Sequence, residues 1–148
     1  MIKILIVGLA SFACLKAQAV PVCMAVTDAD AQAILGASAK RSKDPSGCQW
    51  ADAGRKKQMN VVLIGVASMY EAARADSARK GKTQAESGLG GTAFSTVPSD
   101  DHGGRAAIYL LKGSAVLVVD IEGFATGGAE AQLPQVRDLV RKLVPKLP

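Results

Sequence analysis

Histidine and aromatic residues are scarce in this chain of 148 residues. His102 is the one histidine, and aromatic side chains make up 4% of the sequence. A single imidazole lacks the ligand spacing of a zinc site, and so few aromatic rings give no stacking platform for nucleic acid. The sequence therefore predicts neither a metal or other cofactor nor a nucleic-acid partner.

Apolar runs long enough to remain in a membrane are also missing. The run at residues 4–15 has 12 members, fewer than the roughly 18 needed to span hydrocarbon. It follows the basic Lys3 and precedes Ala17 and Ala19, which have the spacing that a signal peptidase reads. We therefore predict a signal peptide over residues 1–19, a single mature domain over residues 20–148 without a transmembrane helix, and a periplasmic or secreted protein.

A cysteine in the leader opens a second processing route. Cys14 stands where a lipoprotein signal carries its acylated residue, but Ser11 replaces the usual leucine and the bulky Phe12 replaces a small residue. We therefore favour cleavage after Ala19 over lipidation of Cys14.

Two cysteines, Cys23 and Cys48, remain after the predicted cleavage. An exported protein meets an oxidising compartment, so we expect these two residues to form a disulfide. The bridge would close a loop of 25 residues (48 minus 23), for which a chain-entropy model gives about 3 kcal/mol of stabilisation.

Hydrophobic periodicity and capping signals predict an α+β domain. Thr27 with Asp30 forms a capping-box pattern before a short helix ending at Gly36, and Ser68 with Glu71 repeats it before a helix over residues 70–80. The remaining predictions are strands at residues 48–50, 58–66, 92–97, 105–112 and 115–122, loops at residues 37–47 and 82–91, and a C-terminal amphipathic helix beginning near Pro134. This order indicates a largely antiparallel sheet of about five strands with helices packed on its apolar face.

Alternation in the last predicted strand divides its residues between two faces. One face carries Ala115, Leu117, Val119 and Ile121, and the other carries Val116, Val118, Asp120 and Glu122. We expect the polar end of the second face to reach water.

Several short motifs resemble those of small exported bacterial domains of unknown function. These are the Cys48-Gln49-Trp50 segment and the loop Gly88-Leu89-Gly90-Gly91-Thr92-Ala93. The chain departs from the family pattern at Gly91, where an acidic residue would stand. The resemblance implies a disulfide and a sheet-and-helix fold similar to the photosystem extrinsic subunits and the Ran-binding Mog-type proteins, and it assigns no catalytic residue.

A candidate acid-base group lies in the turn between two predicted strands. His102 follows Asp100 and Asp101, which invites an acid-base or metal reading. Neighbouring side chains in an extended turn point apart, and the sequence contains no Gly-x-Ser-x-Gly elbow for a hydrolase triad. We therefore favour a solvated turn, with a small hydrolase using His102 and Asp101 as the alternative.

Two further features have a structural and a functional interpretation. Gly88, Gly90 and Ala93 fit a loose dinucleotide fingerprint, but they enter a predicted strand rather than a helix, so a close backbone turn is favoured. Trp50 is expected to cover the disulfide in the core rather than stack on a ligand.

Basic residues occur in three short clusters, at residues 40–43, 55–57 and 79–82. The net charge of +5 falls to +3 when Lys3 and Lys16 leave with the signal peptide, so solvated loops are the default interpretation. If folding gathers the clusters on one face, they would form a patch for anionic lipid or an acidic partner. The leading hypothesis is a non-catalytic cell-envelope module that binds a protein or small ligand through loops, with a hydrolase or a peripheral membrane-surface binder as the alternatives.

Overall fold

A computed structural model describes residues 22–42, 48–100 and 102–148 of the chain. The predicted leader with Cys14 lies outside the described residues, as does Asp101. Within the described ranges, no helix is long and apolar enough to cross a membrane.

Seven strands form one antiparallel sheet in the described part of the chain, where the sequence predicts about five. The strands are β1 Lys40–Arg41, β2 Gln49–Ala51, β3 Gln58–Ile64, β4 Gly81–Glu86, β5 Thr92–Pro98, β6 Ala106–Lys112 and β7 Ala115–Glu122. Their spatial order is β1-β2-β3-β7-β6-β5-β4. The α+β class, the antiparallel sheet and the β6–β7 hairpin are confirmed. The two strands that the sequence did not predict are β1, which is too short for any periodic signal, and β4.

Four α-helices accompany the sheet in the residues that the structure describes. They are α1 Asp28–Leu35, α2 Ser68–Lys80, α3 Gly128–Ala131 and α4 Leu133–Leu143. Single 3-10 turns precede α1 at Val22–Ala25 and follow α4 at Val144–Lys146. The amphipathic C-terminal helix is confirmed, with Pro134 in its first turn.

The two capping predictions have different outcomes. The capping box of α1 is confirmed, because the Asp30 N–H donates to Thr27 Oγ1 and the Thr27 N–H donates to Asp30 Oδ2. The capping box of α2 is wrong, because Ser68 already lies inside the helix and Ala67, in helical geometry, is its N-cap. The preceding turn, closed by the Met69 N–H on the Val66 carbonyl, starts the helix without a side-chain cap.

Strand β4 occupies much of the segment predicted to be a loop at residues 82–91. The Gly81 N–H donates to the Ser77 carbonyl and ends α2, and β4 begins at the same residue. A Cβ atom at Gly81 would lie 2.2 Å from the Val97 carbonyl oxygen, so only glycine permits this direct junction. The loop prediction fails because β4 is an edge strand whose side chains are exposed or half-buried. Its pairing with β5 is made by backbone groups, so the sequence of β4 shows no alternation of apolar and polar residues.

The main core lies on one side of the sheet, here called the closed face. Helices α1 and α4 cover it. Helix α4 contributes five buried side chains, Leu133, Val136, Leu139, Val140 and Leu143. Leu117, Val119 and Ile121 of β7 belong to the same cluster, as their alternation predicts.

The opposite side, here called the open face, is covered only in part. Helix α2 packs there against β4, β5 and β6, over a small cluster of Tyr70, Phe94, Val116 and Val118. Val62 on β3 is left 47% exposed. The expectation that helices cover a single apolar face is therefore wrong, because Val116 and Val118 make half of the second face apolar too. The polar end of that face, at Asp120 and Glu122, is partly exposed as predicted.

A disulfide joins Cys23 to Cys48, with the two Cα atoms 5.3 Å apart, and confirms the predicted pair. It ties the first 3-10 turn to the start of β2. Trp50 is fully buried in the same core, and the Arg41 guanidinium lies 4.7 Å from its ring. The Trp50 ring is therefore a core element and presents no face to a ligand.

Candidate binding cleft between helix α2 and the open face

A concave site opens where the C-terminal half of α2 lies over the open face. It has a volume of about 200 Å³, smaller than the roughly 300–1,000 Å³ of pockets for drug-sized ligands. Its polar lining comes from Asp76, Ser77 and Lys80 of α2, and from Thr96, Arg105, Tyr109 and Asp120 on the sheet side. We call this site the binding cleft.

An ion pair on the sheet wall fixes one part of the cleft. Arg105 Nε donates to Asp120 Oδ1 at 2.9 Å, and Arg105 Nη2 donates to Asp120 Oδ2 at 3.2 Å. The Asp120 side chain is 14% exposed and that of Arg105 is 49% exposed. Hydrogen bonding to Asp120 raises the pKa of Arg105. The third guanidinium nitrogen, Nη1, takes part in neither bond and stays free to donate to a ligand.

Tyr109 forms an aromatic part of the same wall. Its ring stacks on Phe94 with centroids 4.8 Å apart, and Phe94 meets Tyr70 of α2 edge-on at 5.3 Å. Burial raises the pKa of the Tyr109 phenol, and the negative charge of Asp120 raises it further. The phenol is therefore protonated at neutral pH and can donate a hydrogen bond.

A second ion-paired group stands on the helix wall. Asp76 Oδ2 lies 2.6 Å from Lys80 Nζ, and Asp76 Oδ1 lies 3.2 Å from Arg79 Nη2, as the helical spacing of these residues predicts. Hydrogen bonds from Lys80 and then from Arg79 lower the pKa of Asp76. The charges of Asp76 and Lys80 also affect the pKa of Tyr109, Asp76 raising it and Lys80 lowering it. Charges on the helix wall therefore influence a group on the sheet wall.

The cleft presents fixed charges rather than titrating groups. The pKa values of Asp76, Arg105 and Tyr109 are all displaced away from neutrality. A general acid or base works best with a pKa near the working pH, so these three groups are suited to binding.

Sequence reasoning missed Arg105, Tyr109 and Thr96. The signal that could have found Tyr109 is the β6–β7 register, which places it on the same face as Asp120. Arg105 directly precedes β6 and continues the same alternation.

The structure places His102 away from this cleft. His102 is exposed in the turn before β6 with a left-handed φ of 53°, and its carbonyl accepts the Gly127 N–H at 2.9 Å. Asp100 is exposed in the same turn, and Asp101 lies outside the described residues. The backbone of the turn thus docks on the loop before α3, and the imidazole does not line the binding cleft.

The glycine loop connects two strands, β4 and β5, with no helix at its end. Gly88 and Gly90 have φ values of 68° and 80°. A Cβ atom at Gly91 would lie 2.5 Å from the Leu111 carbonyl oxygen. The loop also packs on α4, with Leu89 buried and Arg141 Nε 3.4 Å from the Gly88 carbonyl. Its glycines therefore serve a close backbone approach.

Folding brings two of the three basic clusters together and leaves the third apart. Lys40 and Arg41 of β1 line the same open recess as Arg55, at one edge of the sheet. Arg79 and Lys80 lie at the end of α2, which leads into the opposite edge strand, β4.

Among the described residues, no group of three histidine, cysteine or carboxylate side chains is placed to hold a metal ion.

Comparison with known proteins adds one weak structural likeness. No protein-family model matches the chain, and no curated protein matches it. The fold is similar to the solution structure of cyanobacterial PsbP (CyanoP) from Synechocystis sp. PCC 6803, with 12% sequence identity, a TM-score of 0.35, and coverage of 73% of this chain and 78% of that one. A likeness at this level assigns neither family nor function, and the resemblance to small exported domains stays a prediction.

Proposed function

We propose that the protein is a non-catalytic binding module of the cell envelope that holds a small zwitterionic ligand in the binding cleft. The observation that carries the proposal is the paired charge on its two walls, with Asp76 and Lys80 on the helix and Arg105 and Asp120 on the sheet. A ligand with one carboxylate and one ammonium group would extend both pairs at once. Charge-assisted hydrogen bonds of this kind are the stronger ones in proteins.

Hydrogen-bond capacity in the cleft fits such a ligand. Arg105 keeps Nη1 for a ligand carboxylate, and the protonated Tyr109 phenol supplies a second donor. The Asp76 carboxylate, whose lowered pKa keeps it charged at neutral pH, can accept from an ammonium group. The small volume favours a ligand of amino-acid size over a larger one.

The envelope part of the proposal is supported by the disulfide and the leader. Cys23 and Cys48 are bonded, and structural disulfides persist mainly in exported proteins. The apolar run after Lys3, followed by Ala17 and Ala19, supports export through a signal peptide. Fractionation of expressing cells tests this part, and a reduced full-length protein in the cytosol would contradict it.

The ligand is tested by titrating the purified protein with the standard α-amino acids and glycine betaine, followed by amide NMR shifts. We expect at least one compound to shift amides of α2, β6 and β7. Arg105→Gln should weaken that binding by about 10- to 100-fold, the range for a lost hydrogen bond to a charged group. The matched control is Lys82→Gln, which removes a cation paired with Glu130 on the closed face.

Two results would refute the cleft as the binding site. One is the absence of any shift in the cleft across the panel. The other is an equal loss of affinity in Arg105→Gln and Lys82→Gln, which would indicate a general charge effect. The rival hydrolase is tested separately with His102→Ala, because turnover of an envelope substrate that this change abolishes would replace the non-catalytic assignment.

A further inference from the structure

The two edges of the sheet differ in how they are protected. Strand β1, at one edge, has two residues, whereas β4, at the other, has six and contains no proline. Very short strands, prolines and charged side chains commonly keep an edge from pairing with another chain. Among the described strands, β4 is therefore the edge that is long enough to accept a further strand, and its charges decide which strand fits.

The backbone groups of β4 alternate between β5 and the outer edge. The Ser99 N–H donates to the Lys80 carbonyl at 3.0 Å, in continuation of the β4–β5 register. Hydrogen-bonded pairs recur at every second residue of an antiparallel ladder, so the even-numbered residues of β4 bond to β5. Thr83 and Ala85, which fall between them, direct their N–H and C=O groups away from β5.

The charges of β4 are arranged in a self-complementary order. Lys82 and Glu86 lie two residues before and two residues after Gln84. In an antiparallel pairing of two copies about Gln84, Lys82 of one copy lies opposite Glu86 of the other. The same register pairs Thr83 with Ala85 of the second copy, so the outward backbone groups meet as hydrogen-bonded pairs. Charge and backbone hydrogen bonding thus select one register.

Each charge of this edge already has an opposite neighbour within its own copy. Lys82 forms a salt bridge with Glu130 of α3, and Glu86 accepts two bonds from Arg137 of α4. Across the paired edges, the order becomes Glu130, Lys82, Glu86 of the second copy and Arg137 of the second copy, in which negative and positive charges alternate. Opposite charges across two strands stabilise their pairing, whereas a parallel pairing in register would set Lys82 against Lys82.

The side chains of the edge favour a second copy over other occupants. Lys82 is 63% exposed, and Gln84 and Ala85 are exposed as well. The strand carries no apolar side chain larger than alanine, so it offers little to an apolar ligand. A strand without an acid opposite Lys82 would meet an unmatched charge, the usual device against unwanted edge pairing.

From these observations we infer that two copies of the protein associate through their β4 edges, with the strands antiparallel and the two-fold axis at Gln84. The contact joins two sheets into one. It is of the small and weak class of interfaces, because it consists of four backbone hydrogen bonds and two facing pairs of charges. The inference does not depend on the occupant of the binding cleft, to which β4 contributes no lining residue.

Sedimentation velocity of the purified protein over a range of concentrations tests the association. We expect a dimer whose fraction rises with concentration. Ala85→Pro should weaken dimerisation roughly 30-fold, because it deletes one hydrogen bond between the copies from each of them. The fold is retained, since the Ala85 N–H points away from β5 and proline is tolerated at such edge positions. Ala85→Ser keeps the N–H, and this matched control should dimerise as the wild type does.

A crosslink tests the register. In a Cys14→Ser background, Gln84→Cys places two thiols across the two-fold axis, in a pair whose Cα atoms lie about 4.5 Å apart. A disulfide bridges this distance, so oxidation by diamide should join the two copies. Ser87→Cys is the matched control on an exposed residue directly after β4. Its two thiols would lie about 20 Å apart, and the copies should stay separate on a reducing-agent-free gel.

Three results would overturn the inference. The first is a monomer at every concentration. The second is dimerisation that persists unchanged in Ala85→Pro, or that is lost equally in Ala85→Ser. The third is equal crosslinking of Gln84→Cys and Ser87→Cys, which would indicate random collision or another register.

Discussion

Helices α4 and α2 cover opposite faces of one sheet, and they are attached in different ways. Helix α4 buries five side chains on the closed face, whereas α2 buries one, Tyr70, on the open face. Packing that is distributed over a helix makes its release cooperative with global unfolding, while a single anchor permits local opening. The closed face therefore provides most of the stability, and the open face has room for a cleft.

The largest effect should come from removing the single anchor of α2. Tyr70→Ala should destabilise the protein by about 3–5 kcal/mol, the usual range for a large buried aromatic residue. Hydrogen exchange should show α2 losing protection before the sheet does. In Leu143→Ala, a matched truncation in α4, protection should fall across the whole domain. Uniform loss of protection in both variants would contradict the contrast between the two helices.

The two faces also use the same ion-pair chemistry differently. On the closed face, Arg137 of α4 donates to both carboxylate oxygens of Glu86 at 2.6 and 2.7 Å, and the Glu86 side chain is 6% exposed. On the open face, the Arg105–Asp120 bonds are longer, at 2.9 and 3.2 Å, and Arg105 is half exposed. The first pair fastens a helix to strand β4, and the second leaves Arg105 Nη1 outside its two bonds.

Breaking the closed-face pair should give the next largest effect. Removing one partner of a buried pair costs about 3–5 kcal/mol. We expect about 2 kcal/mol for Glu86→Gln, because the amide still accepts one hydrogen bond and Arg137 is partly solvated. Urea denaturation measures the change. A loss below about 0.5 kcal/mol, the level of exposed pairs, would show that Glu86 does not fasten α4.

The same carboxylate should make stability depend on pH. Hydrogen bonding from Arg137 is the main cause that lowers the pKa of Glu86 from its ordinary value of 4.5. A lowered folded-state pKa contributes stability that is present above the unfolded value and is lost as the pH falls through the folded one. The unfolding free energy should therefore decline below about pH 4.5 more steeply in the wild type than in Glu86→Gln. Parallel pH profiles would assign the acid sensitivity to other carboxylates.

Sequence reasoning succeeded where a local signal coincides with burial. Thr27 and Asp30 cap α1, and the apolar spacing of Val136, Leu139 and Leu143 predicts the helix that closes the main core. It failed at β4, whose pairing is made by backbone groups of the β5 edge, and at the N-terminus of α2, where the turn before Ser68 replaces the predicted side-chain cap, although the helix itself is present as predicted. The first failure occurs where tertiary pairing overrides local preference, and the second occurs where a backbone turn does the work of a side-chain cap.

The candidate sites follow the same division. Asp76 with Lys80 can be predicted from helical spacing. Their meeting with Arg105 and Asp120 depends on the sheet order and on the face that α2 covers, which no local pattern encodes. His102 is a candidate acid-base group by residue type, but in the fold it is exposed on a turn.

The smallest effect on stability is expected from the open-face pair, and it offers the finest test of the comparison. Asp120→Asn should change the unfolding free energy by less than about 1 kcal/mol, because Arg105 can turn to water. It should also lower the pKa of Tyr109, since the negative charge of Asp120 adds to the rise caused by burial. Ultraviolet titration in a Tyr70→Phe background isolates Tyr109, because the chain contains two tyrosines. An unchanged Tyr109 titration would mean that Asp120 and the phenol do not share the cleft.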